Sequence, residues 1–89
     1  MDEVEAQKIL FEHADKFINL ANEIFQEDTS GTVGAALRFA ASRYSAYEAS
    51  ARTDNLERDF EEQHTLFADE FARMLRINLG DYVAVQKNK

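Results

Sequence analysis

The chain has 89 residues, no cysteine, no proline and a formal net charge of −7 at pH 7. That length holds one small core, and the lack of cysteine excludes disulfides, the common zinc knuckles and any thiol nucleophile. The acidic balance argues against binding a phosphate backbone, which depends on clustered lysine and arginine.

Only Gly31, Gly34 and Gly80 punctuate the sequence, which suits helices and opposes a turn-rich sheet. The N-terminal stretch MDEVEAQK is acidic, unlike a signal peptide. The longest nearly apolar run, Val33 to Ala41, is interrupted by Arg38 and is too short to span a bilayer. A soluble, cytoplasmic protein with no membrane or nucleic-acid partner is expected.

Residues 3–27 read as the first helix. Leu10, His13 or Ala14, Phe17, Leu20 or Ala21, and Ile24 recur at helical spacing and form an inner stripe. Phe11, Ile18 and Phe25, spaced by sevens, form a second stripe beside it. Contact with two other helices explains both stripes; a dimer interface along Phe11, Ile18 and Phe25 is the sharper alternative. QEDTSGT, residues 26–32, is a loop in which Gly31 permits a left-handed turn and Ser30 or Thr32 caps the second helix.

Residues 33–52 read as the central helix. Its alanines favour helix strongly, and apolar residues surround most of its circumference, which predicts cover on more than one side. A break at 51–55 is expected, with Asp54 as N-cap and Glu57 three residues on; no glycine forces it, so one continuous helix is the alternative. The third helix is expected over 55–79, burying Leu56, Phe60, Phe67, Phe71 and Met74 or Leu75, with Gln63 or His64 at the missing turn. Gly80 then reads as its C-cap and residues 83–89 as a partly disordered tail. Together these give a single all-α domain over 1–89, a three-helix up-down-up bundle closed on itself or by dimerisation.

Three segments carry a resemblance: Phe17 to Glu23 (FINLANE), Ala35 to Tyr47 (AALRFAASRYSAY) and Phe71 to Tyr82 (FARMLRINLGDY). They resemble a family of small helical bacterial proteins, mainly proteobacterial, catalogued as a domain of unknown function. The resemblance spans nearly the whole chain and implies a stand-alone cytosolic protein. It assigns no catalytic or binding residue.

Candidate chemistry is sparse. His13 and His64 would share a level in an up-down-up bundle, and Glu61 with His64 makes the Glu-x-x-His spacing of carboxylate-bridged metal bundles. Yet acids crowd this helix, so the spacing arises cheaply, and a histidine beside an apolar stripe is more often a boundary residue. Ser42, Ser45 and Ser50 lack a glycine elbow or an oxyanion-forming turn. Residues 29–53 hold Arg38, Arg43, Arg52 and one acid, Glu48, between two acidic segments. Structural ion pairs through Arg38, Arg43 and Glu48 therefore outweigh an anion site, and Arg43, beside Tyr44, is the candidate for an inward pair.

The leading expectation is a non-catalytic, self-associating or protein-binding helical module, without cofactor, whose partner is a second copy or another protein. The alternatives are a metal or acid–base site at His13, Glu61 and His64, and an acidic mimic that captures a basic protein.

Overall fold

The computed structural model describes residues 2–89. The chain is all-α, with helices α1 (Glu3–Glu27), α2 (Thr32–Arg52) and α3 (Leu56–Lys87) and no strand among the described residues. Its contacts fall into two compact units, one ending at Arg43 and the other comprising Tyr44–Lys89. The first unit holds α1 and the start of α2; the second holds the end of α2 and α3.

Asp2 starts α1: its Oδ1 accepts the Glu5 N–H at 2.8 Å, and Glu3 and Glu5 face the positive end of the helix dipole. Past Glu27 the chain turns through a short hydrogen-bonded run. Asp28 Oδ1 accepts the Ser30 N–H at 3.0 Å, and Ser30 Oγ accepts the Thr32 N–H at 3.3 Å. Gly31, at φ +92°, makes the left-handed turn that side chains with a Cβ resist. Thr32 then begins α2, one residue ahead of the expected start.

Alanines keep α2 continuous, and its serines serve the backbone. The Ser42 and Ser50 hydroxyls donate to the Phe39 and Tyr47 carbonyls at 2.8 and 2.7 Å. The expected enclosure of α2 is not found. Ala49, 5% exposed, is its sole buried residue; Val33, Gly34, Ser45 and Glu48 are half-buried; Phe39, Tyr44 and Tyr47 are exposed. The division of the chain gives the reason. Each end of α2 has one helix beside it within its own unit, and one neighbour covers one face.

The helix breaks at residues 53–55, and the continuous alternative is ruled out. Thr53 Oγ1 accepts the Asn55 N–H at 3.1 Å and donates to Asp59 Oδ2, drawing these groups out of a helical ladder. The N-cap is Asn55 rather than Asp54: Asn55 Oδ1 accepts the Arg58 N–H at 3.0 Å. Asp54 instead sits 3.7 Å from the Arg58 guanidinium.

α3 overruns its expected end. It passes through Gly80, which lies inside the helix without a positive φ, and continues to Lys87 through part of the segment expected to fray. A glycine stops a helix only when its backbone turns left-handed; otherwise it costs about 0.5–1 kcal/mol against alanine and the ladder continues. Lys87 in the last turn complements the negative end of the dipole.

Candidate functional site

The most connected polar cluster lies where α2 passes into α3. Arg58 grips Asp59 with two parallel bonds, Nε to Oδ1 at 2.8 Å and Nη2 to Oδ2 at 2.9 Å, while Thr53 donates to the same carboxylate. The Arg58 bonds, then the Thr53 bond, hold the Asp59 carboxyl well below the usual carboxylate range, and Asp59 in turn raises the Arg58 guanidinium. A carboxylate so occupied stays ionised and is a poor proton acceptor at neutral pH. This cluster is a clasp on the connection, not an acid–base centre. On the same unit the Arg52 guanidinium lies 5.2 Å from the Phe67 ring centroid, a cation–π contact joining the end of α2 to α3. The signal missed in the sequence is the run Thr53-Asp54-Asn55 ahead of Arg58-Asp59: Asp54 and Asp59 flank the Arg58 guanidinium, Asn55 accepts the Arg58 backbone N–H, and Thr53 donates to Asp59.

None of the candidate metal, acid–base or ion-pair residues His13, Glu61, His64, Arg38, Arg43 and Glu48 joins this clasp. His13 is exposed on α1; Glu61 and His64 are exposed on α3, where Gln63 is the half-buried residue of that turn. Among the described residues no three His, Cys, Asp or Glu side chains gather to hold a metal ion. Arg43 reaches the Phe39 ring, 5.6 Å from its centroid, in place of the inward ion pair expected of it. Arg38 lies across Gly34, where its Nη1 would stand 3.5 Å from an added Cβ. Glu48 is half-buried. Among the described residues the ion pairs gather on Arg58, because Asp54 and Asp59 lie within one helical turn of it.

Apolar surface is the larger feature. Phe11, Ile18 and Phe25 on α1 are 56%, 51% and 46% exposed, and Leu10 and Phe17 of the expected inner stripe are exposed too. On that helix Ile9, Ala14 and Ala21 are half-buried. On α3, Leu56 and Phe67 are half-buried, whereas Phe60, Phe71, Met74 and Leu75 of the expected buried face are exposed. Every residue from Ala68 onward is exposed. Ala72, Leu75, Arg76, Leu79, Gly80 and Val83 line a shallow, mainly apolar strip on this part of the helix.

Residues 10–83 match the model of a family described as protein of unknown function, DUF3144. The chain belongs to this family. The match takes in α2 whole, most of α1 and α3, the Thr53–Arg58–Asp59 clasp and most of the exposed apolar surface. No curated protein and no solved structure matches the chain. No helix among the described residues is long and apolar enough to cross a membrane.

Proposed function

We propose that this protein is a non-catalytic helical interaction module of the bacterial cytosol, working through apolar helix faces that meet another protein surface. The observation that carries this reading is the imbalance of burial. Among the described residues twenty-two large apolar side chains are exposed while Ala49 alone is buried, and contiguous apolar surface beyond a few hundred Å² marks interaction sites. The partner is a second copy or a different protein. The Phe11–Ile18–Phe25 stripe of α1 and the far half of α3 are the faces offered.

The test is light scattering of the purified chain over a hundredfold range of concentration, joined to a pull-down from its own cell extract. A mass of at least twice 10.2 kDa, or a partner retained in high salt, supports the reading. A strict monomer that retains nothing removes it.

A further inference from the structure

We propose that the far half of α3, Phe71 to Val83, is the seam for a second copy of this chain. This rests on the interaction reading above and fixes its partner and its face.

The first observation is one of length. Within the second unit, α2 contributes only Tyr44–Arg52, about 13 Å of helix, whereas the 32 residues of α3 run about 48 Å. That short stretch is matched by half-buried residues at the start of α3: Leu56, Asp59, Gln63 and Phe67. From Ala68 to Lys87 the helix has outrun it, and every residue is exposed.

The second observation is area. Phe71, Leu75, Leu79, Tyr82 and Val83 fall within one arc of about 120° at helical spacing, and they are 50%, 44%, 56%, 71% and 50% exposed. Side chains of this size leave roughly 500 Å² uncovered between them, so two copies would bury up to about 1,000 Å², the size at which a specific interface begins.

Charge selects the occupant. The chain as a whole carries −7, and α1 carries six acids against two lysines, so two copies meeting along α1 bring like charges together. Residues 68–87 hold Asp69, Glu70 and Asp81 against Arg73, Arg76 and Lys87, and are neutral. This stretch approaches its own copy without local repulsion.

Light scattering on two double variants tests the proposal. Leu75→Glu with Leu79→Glu is expected to halve the mass of the assembled particle, while Phe11→Glu with Ile18→Glu leaves it intact. Assembly lost only in the α1 variant overturns the α3 seam and leaves the interaction reading standing. A wild-type monomer that retains another protein does the same. As a check independent of folding defects, Asn78→Cys supplies the chain's one cysteine for a nitroxide label. Spin–spin broadening that disappears on dilution with unlabelled chain is expected; a spectrum insensitive to that dilution overturns the seam.

Discussion

Residues 28–31 and residues 53–55 each join one helix to the next, with different chemistry. The first connection relies on a backbone conformation, Gly31 at φ +92°, supported by short bonds among Asp28, Ser30 and Thr32. The second contains no glycine and relies on side chains: Asn55 caps α3, and Thr53 and Arg58 converge on Asp59. A turn can therefore be specified by what the backbone is allowed to do, or by giving every loose polar group a partner. Both kinds use a carboxylate held below its usual range, Asp28 by the Ser30 N–H and Asp59 by Arg58 and Thr53, but the first also has the conformation of Gly31 to rely on, so acid loosens the second more.

The largest separation between the two connections is expected from Asp59→Asn. It removes the carboxylate charge and turns one of the two acceptor oxygens shared by the Arg58 fork and the Thr53 hydroxyl into an N–H donor, so those bonds cannot all be kept, and it should lower the melting temperature more than any other single change named here. Acid sharpens the contrast. Because the folded Asp59 carboxyl titrates below its ordinary value of 3.8, its contribution is complete above that value and fades as pH falls below it. Thermal melts from pH 7 down to pH 2 should show the gap between wild type and Asp59→Asn narrowing only in the acid range. A constant gap would break the comparison.

Gly31→Ala comes next. A Cβ in the left-handed region costs about 1–2 kcal/mol, even though the space around Gly31 is open. Chemical denaturation should show that loss unchanged between pH 7 and pH 4. Asn55→Ala removes the cap acceptor for the Arg58 N–H and should cost about 1 kcal/mol by the same measurement. Smallest, and opposite in sign, is Gly80→Ala. Gly80 has no positive φ, and an added Cβ meets nothing within 4 Å, so alanine should stabilise by about 0.5–1 kcal/mol. A loss there would mean that something packs against that face.

The three helices are legible in the sequence because alanine content and apolar spacing act locally. The left-handed turn at Gly31 is legible because few residues other than glycine tolerate it. Gly80 misleads for the converse reason: nothing in the sequence distinguishes a glycine that turns left-handed from one that stays in the ladder. Asp54 and Asn55 are both good caps, and the choice goes to Asn55 because Thr53 and Arg58 engage the neighbouring acids, a detail of geometry rather than of pattern. Periodicity places Phe71, Leu75 and Leu79 on one face, yet it says nothing about whether a neighbour reaches them. Cover on two sides of α2 is the natural reading of its circumference. The circumference records what a helix is able to bury, whereas the number of neighbouring helices decides what it does bury. Arg43 turns to the Phe39 ring, which stands one helical turn away on the same helix.

The brevity of both connections has a consequence for time. Contacts within each unit join residues near one another in sequence, and chains of such low contact order fold in microseconds to milliseconds. Helical hairpins of this kind are complete before two molecules dock productively at micromolar concentration, which takes about 0.1–10 s. Stopped-flow traces should accordingly resolve a fast phase indifferent to protein concentration, and any step that quickens as concentration rises belongs to encounter between molecules.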